Sequence, residues 1–219
     1  KEHYPFPSYA SPEELAHKFS LIPDLSQALK SALVKTGLNV FIALGGVAGQ
    51  QSYHFIVHLL PRENGDGFYN FLLKKSTKTS DIEKKTISDL LSKVMGPSSS
   101  KKILPLPSAK IMENSTIIYE DYRVVCIISD EASVKGQVTI YSKKEEKHIE
   151  NISREDCAYL FEVATKTSQT VFEALKAQGT NILLMSGESD DNPSGALAIQ
   201  VLPRWQDDSL QGLIWEPKR

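Results

Sequence analysis

Residues 39–62 read NVFIALGGVAGQQSYHFIVHLLPR, and residues 181–204 read NILLMSGESDDNPSGALAIQVLPR. Both runs are 24 residues long, open on Asn, close on Leu-Pro-Arg, and lie 142 positions apart. The same offset sets Ser11-Pro-Glu-Glu-Leu15 on Ser153-Arg-Glu-Asp-Cys157, Gly37 on Gly179 and Asp66 on Asp208, without a gap from 1–77 to 143–219. A fixed-period match that needs no insertion marks an internal duplication. The chain is thereby restricted to folds in which two similar units coexist, and each difference between the copies becomes informative.

The copies share an order of elements. Each opens on a Ser with an acidic residue two positions on, Glu13 or Glu155, which suits a helix N-cap and a favourable first turn. Apolar residues then recur at helical spacing, Leu15, Phe19, Ile22, Leu25, Leu29 and Leu33 against Phe161, Ala164, Val171, Phe172 and Leu175, so helices are predicted over 11–35 and 153–178. Gly37 and Gly179 stand where helices commonly end. Pro23 should kink the first helix, while its equivalent, Thr165, should not.

Strands are expected over 39–44 and 53–60, and over 181–185 and 196–202. A short amphipathic helix follows over 86–95, then the polar stretch 96–102. Strand-like runs at 109–113, 117–129 (turning near Asp121-Tyr122) and 137–142 precede the second helix, and nothing equivalent precedes Lys1. The first unit is therefore expected to be N-terminally incomplete, by about 35 residues if the period holds. The division that follows is a first unit at 1–97, a linker at 98–107 and a second unit at 108–219. Strand sets with few helices argue for an α+β class rather than a parallel βαβ array.

Composition narrows the function classes. A formal charge of −2 gives no basic field for a nucleic-acid backbone, and the paired lysines read as solvated faces. No apolar run of about 18 residues is present, so no membrane partner is expected. The two cysteines, Cys126 and Cys157, sit in apolar patterns and read as free buried thiols of a cytoplasmic protein. No cofactor is implied.

The run from Ala48-Gly49-Gln50 through His54-Phe55-Ile56-Val57-His58 to Pro61-Arg62 resembles the histidine triad family. That family's signature is His-x-His-x-His with two apolar residues after it, often after Ala-Gly-Gln and before Pro-Arg. The second copy fits the same frame through Asn181, Leu202-Pro203-Arg204 and Asp208. The resemblance implies two units, each an antiparallel sheet with one long helix and a short C-terminal helix, paired as an intramolecular pseudo-dimer. It implies a nucleotide or other phosphate-containing ligand over the histidine strand, and self-association fits the family's habit. The candidate ligand residues are Asn39, Gly49, Gln50, Gln51, His54 and His58, with Asn181, Ser194 and Gln200 as second-copy equivalents.

The family's reaction is nucleophilic attack on a nucleotide α-phosphorus by the middle histidine. Here that position is Ile56, and the three positions in the second copy are Ala196, Ala198 and Gln200. Isoleucine has no lone pair, and loss of a covalent nucleophile removes a factor on the order of 10⁴ or more. His54 lies about 7 Å along an extended strand from position 56, too far to substitute at a site that tolerates about 0.5 Å. The expectation is a nucleotide-binding pseudoenzyme. The alternatives are a nucleotide hydrolase or nucleotidyl transferase working through His54 or His58, acting on phosphoramidates or dinucleoside polyphosphates, and a purely structural module. His54 and His58 lack a recognisable third partner for a metal. Gly45-Gly46 and Gly49 suit close approach to a phosphate or a tight strand connection, and these roles are compatible.

Overall fold

At the middle of the sheet two strands 142 positions apart lie side by side. In the computed structural model, which describes residues 3–68, 71, 73–74, 77–98, 114–144, 146–192, 195–208 and 210, these are β1 (Gly37–Leu44) and β6 (Gly179–Ser186). They pair antiparallel with Phe41 opposite Leu183, Leu38 opposite Ser186 and Leu44 opposite Thr180. Phe41 and Leu183 occupy the same place in the sequence repeat, so the register is symmetrical about them. The flanking strands repeat the pattern. β2 (His58–Arg62) pairs with β1 from Gly37–Arg62 to Phe41–His58, and β7 (Ala198–Arg204) pairs with β6 from Gly179–Arg204 through Leu183–Gln200.

Beyond β7 come β5 (Val138–Ser142), β4 (Val124–Ser129) and β3 (Ser115–Glu120). Among the described residues, seven strands form one antiparallel sheet in the order β2-β1-β6-β7-β5-β4-β3. The turn between β3 and β4 forms because the Asp121 carboxylate accepts the N–H groups of Arg123 and Val124, the usual chemistry of an Asp-initiated turn. The strand expected over 109–113 and most of the linker at 98–107 lie outside the described residues.

Alternation along β1 sorts the two faces. Leu38, Val40, Ile42 and Leu44 join the large core beneath the helices, whereas Phe41 and Ala43 face the other way with Leu183, Met185 and Leu202. The helix layer comprises α1 (Pro12–Ser20), α2 (Ile22–Leu33), α3 (Asp81–Met95) and α4 (Arg154–Leu175). Phe19 and Phe161, again 142 apart, stack with ring centroids 4.6 Å apart at 8°. Each ring is fully buried, which stabilises by about 1.5–3 kcal/mol, and the stacked pair adds about 0.5–1.5 kcal/mol.

The single helix expected over 11–35 is two helices, parted at Leu21. Pro23 has no N–H to donate to the Phe19 carbonyl, and that carbonyl instead accepts the Cys157 thiol at 3.3 Å. Where Thr165 replaces the proline, α4 runs unbroken for 22 residues. α3 is also longer than expected, because a capping box formed by Ser80 and Glu83 starts it at Asp81.

Gly37 and Gly179 do not end the helices. Left-handed Val34 and Lys176 do so, at equivalent positions. The glycines open β1 and β6, where a neighbouring backbone comes close: a Cβ on Gly179 would stand 2.8 Å from the Leu44 carbonyl oxygen, and one on Gly37 3.1 Å from that of Ser186. Cys126 and Cys157 are both buried free thiols. Among the described residues no helix is long and apolar enough to cross a membrane.

The glycine geometry predicts that Gly179→Ala will destabilise the protein by about 1–3 kcal/mol, since the clash is with backbone. Gly46→Ala, whose Cβ would meet nothing within 4 Å, is expected to be neutral or slightly stabilising. Urea unfolding of the two variants reads the difference; equal midpoints would show that the β1–β6 contact can yield.

Candidate functional site

On the helix-free face the N-terminal half brings together Gly49, Gln50, Gln51, Ser52, His54, Ile56 and His58 around a cavity of about 50 Å³, floored by Phe41 and Ala43. The strand expected over 53–60 begins only at His58, because residues 52–54 bend. His54 therefore sits on a turn rather than on the ladder. Its Nδ1 lies 3.0 Å from the Ser52 hydroxyl, and its ring meets His3 edge-on with centroids 5.0 Å apart. His58 is on the strand, tilted against Phe41, and burial pushes its pKa down, so the ring is neutral at pH 7. Ile56 is 40% exposed and lines the cavity between them.

The glycine loop does less for a ligand than its composition suggests. The N–H groups of Ala48 and Gln50 donate to the Gly45 carbonyl, and that of Gly49 donates to the Gly46 carbonyl. Gln50 is committed as well: its Oε1 accepts from the Gly45 N–H at 2.7 Å and its Nε2 donates to the Pro5 carbonyl at 3.0 Å. The loop is a self-satisfied turn, braced by the Pro5 carbonyl.

Asn39 and Asn181 are bonded within the scaffold. Both are buried. Asn39 Nδ2 donates to Asp191 at 3.0 Å, and Asn181 Nδ2 donates to the Ala48 carbonyl at 2.9 Å. Each asparagine thus ties its own central strand to a loop of the opposite half. In the C-terminal half, Ala198 is buried and Gln200 lies in the floor of a larger cavity of about 220 Å³. Ser194 lies outside the described residues.

The feature that sequence reasoning passed over is a pair of buried arginine clamps. Arg62 donates through Nε and Nη2 to the two oxygens of Asp66, and through Nη2 to the Phe68 carbonyl. Arg204 does the same to Asp208 and to the Leu210 carbonyl. The fourth bond differs: Arg204 Nη1 donates to Asn181 at 2.6 Å, whereas Arg62 Nη1 donates to Asp191 at 2.7 Å. Burial works against charge on Arg62, but Asp66 and Asp191 outweigh it and raise its pKa. Burial also opposes charge on Asp66 and Asp208, and the arginine and backbone N–H donors more than offset it, holding both below the usual carboxylate range. The signal was the shared Leu-Pro-Arg with an Asp four positions on. Among the described residues no group of three or more His, Cys, Asp or Glu is placed to hold a metal ion.

The HIT domain family matches residues 111–192, a span that stops before Ala196 and excludes His54 and His58. No curated protein matches. Among solved structures, a galt-like protein from Arabidopsis thaliana is similar at 13% identity and a TM-score of 0.57, over 89% of this chain and 60% of that one. An ADP-glucose phosphorylase from Arabidopsis thaliana, with bound ADP-glucose, is similar at 11% identity and a TM-score of 0.58, over 90% of this chain and 59% of that one. A uridylyltransferase mutant is similar at 11% identity and a TM-score of 0.56, over 89% and 59%. The chain spans about 60% of the length of these structures. At such identities the likeness establishes the fold, which is mixed α/β with a large antiparallel sheet.

The clamps carry a prediction. Asp191→Ala strips Arg62 and Asn39 of their shared acceptor and is expected to cost about 3–5 kcal/mol, read from urea unfolding. Because the folded-state values of Asp66 and Asp208 are depressed, their contribution is complete above about pH 4 and is lost as pH falls through those lower values. Melting temperature followed from pH 6 to pH 2 should fall in that lower range, and less steeply in Asp66→Asn. A flat profile would mean that the clamps do not couple to stability.

Proposed function

We propose that this chain is a tandem histidine-triad-like protein that binds a nucleotide or another phosphate-containing small molecule and does not turn it over by the family's covalent route. One observation carries the reading: Ile56, not histidine, lines the cavity between His54 and His58. The ADP-glucose held by a structurally similar protein supports a nucleotide-related ligand. A cavity of about 50 Å³ is well below the ~300 Å³ at which drug-sized pockets begin, so it would seat one phosphate group, with the rest of the ligand across the open face. His54, His58 and Gln51 are the proposed contacts. Asn39, Asn181 and Gln50 serve the scaffold.

The duplication is supported by the matching registers of β1–β2 and β6–β7, the β1–β6 pairing centred on Phe41 and Leu183, and the stacked Phe19 and Phe161. On this reading 1–97 and 108–219 are degenerate units facing each other as a pseudo-dimer, joined by 98–107. The free thiols fit a cytoplasmic setting, no cofactor is required, and self-association belongs to the same proposal.

A second reading, turnover through His58, has one fact in its favour: burial keeps that imidazole neutral, as a nucleophile must be. Titration with adenosine monophosphate and turnover of an adenosine phosphoramidate separate the two. The parent protein is expected to bind and to show no turnover near 1 s⁻¹. Ile56→His, which restores three alternate histidines, is expected to raise hydrolysis or to trap a nucleotidyl adduct. Ordinary turnover by the parent, lost in His58→Ala, would establish the second reading instead.

A further inference from the structure

The turn after β2 reads Glu63-Asn64-Gly65-Asp66-Gly67 and holds two places where the main chain can close on a side chain, Asn64-Gly65 and Asp66-Gly67. In each, the glycine nitrogen can attack the side-chain carbonyl carbon of the residue before it, because a residue without a Cβ leaves that approach open. The structure separates the two. The Asp66 carboxylate accepts from Arg62 Nε and Nη2 and from the Glu63 and Phe68 N–H groups, which together hold it below the usual carboxylate range. An ionised carboxylate so bound resists a nucleophile. Asn64 presents an uncharged amide instead, and both it and Gly65 are exposed. The Asp66 N–H donates to the Glu63 carbonyl at 3.4 Å and Gly65 has a φ of 79°, so Asn64 and Gly65 are the corners of a type II turn. A Cβ on Gly65 would meet nothing within 4 Å.

One contact restrains this pair, and it comes from the other half of the chain. The Gly65 N–H donates to both oxygens of Asp190, at 3.2 and 3.1 Å. The nitrogen attacks only after giving up its proton, and a carboxylate on that N–H opposes the loss through its charge and through the bond itself. The second copy has no such pair. Gln206 and Asp207 stand where Asn64 and Gly65 stand in the first, so closure there would need a larger ring and a nitrogen crowded by a Cβ.

We infer that Asn64 is a site of spontaneous deamidation, that Asp190 restrains it, and that the conversion loosens the Arg62–Asp66 clamp while leaving Arg204–Asp208 intact. The Gly65 nitrogen bonds to Asn64 Cγ, the Cγ–Nδ2 bond breaks, and Nδ2 leaves as ammonia with the proton that the Gly65 nitrogen gave up. Water then opens the five-membered imide at either carbonyl, giving aspartate or isoaspartate at position 64. The sum is one water taken up and one ammonia released, with nothing oxidised or reduced. Either product sets a new negative charge beside Asp66 and Asp190. Isoaspartate also lengthens the main chain by one carbon between Arg62 and Asp66, whose bonds depend on the short span of that turn. Because Asp190 reaches Gly65 across 125 positions, the rate reports how firmly the two halves stay closed. The site is separate from the cavity at His54 and His58 and does not rest on what that cavity binds.

The test is timed incubation of the full chain at neutral pH and body temperature, followed by peptide mapping in a mass spectrometer and by thermal melting of the aged protein. The parent is expected to convert at residue 64 more slowly than the same chain unfolded in urea. Asp190→Ala is expected to convert about threefold to tenfold faster than the parent, the low end reflecting an exposed hydrogen bond to a charged acceptor. Should Asp190→Ala fail to fold, Asp190→Asn, which removes the charge and keeps the shape, is expected to show a smaller acceleration in the same direction. Aged parent is expected to melt below fresh protein, and Asn64→Gln, which closes the larger ring only slowly, to melt unchanged with age. No acid product at residue 64 in parent or variant, equal rates in the parent and the folded Asp190 variant, or an aged parent that melts as fresh protein does would each overturn the inference.

Discussion

Everything on the helix-free face is positioned by the pairing of β1 with β6. That ladder brings Phe41 to Leu183, and with it fixes how far His58 on one side stands from Gln200 on the other. Its closeness depends on Gly37 and Gly179, because a side chain at either end would press on a carbonyl of the partner strand. Below the sheet, Phe19 on Phe161 sets α1 against α4 at matched points. A sheet edge is normally a liability that invites non-specific pairing. Here strands from the two halves close on each other edge to edge, and both of their faces are buried along their whole length.

Polar groups then cross the same seam. Asn181 reaches the Ala48 carbonyl and Asn39 reaches Asp191, so each half holds the other's loop through a buried amide. An amide so deeply buried must be fully hydrogen-bonded or it costs about 1–3 kcal/mol. These asparagines are thereby bound to scaffold duty, whatever phosphate chemistry they could perform when exposed. The glycine loop follows the same logic: its N–H groups close on its own carbonyls, and Gln50 locks it to Pro5.

Much of the central helix and strand pattern was legible because matching runs 142 positions apart supplied two samples of it. Serine caps, the kink at Pro23, the turn at Asp121 and the central strands could be read from spacing. The extent of the histidine strand could not, since alternation persists through residues 53–57 although the bend at 52–54 keeps them off the ladder. The glycines misled for a related reason: a glycine after a helix signals a cap, and only the neighbouring strand reveals that close approach is the cause. Asp191 was out of reach, because its partner Arg62 is 129 positions away and its loop has no acidic counterpart in the first copy. The triad positions were legible as residues, while their cavity, small beside the one at Gln200, was not.

The divergence of the two halves has a physical cause in that loop. Where the first half carries Gly45 to Gln50, the second carries Gly187-Glu-Ser-Asp-Asp-Asn192. Asp190 accepts the Gly65 N–H, and Asp191 neutralises Arg62 while taking hydrogen bonds from Asn39 and Ser189. Three carboxylates in this loop oppose an anion, while Asp191 stabilises the opposite half through its buried arginine. Replacing the loop by glycine would strip Arg62 and Asn39 of their shared Asp191, at a cost of several kcal/mol in a molecule whose total stability is about 5–15 kcal/mol. With Asp191 as the partner of Arg62, an anion at this loop is opposed by the needs of folding as well as by charge. On the proposed reading, phosphate recognition falls to the half that carries His54 and His58.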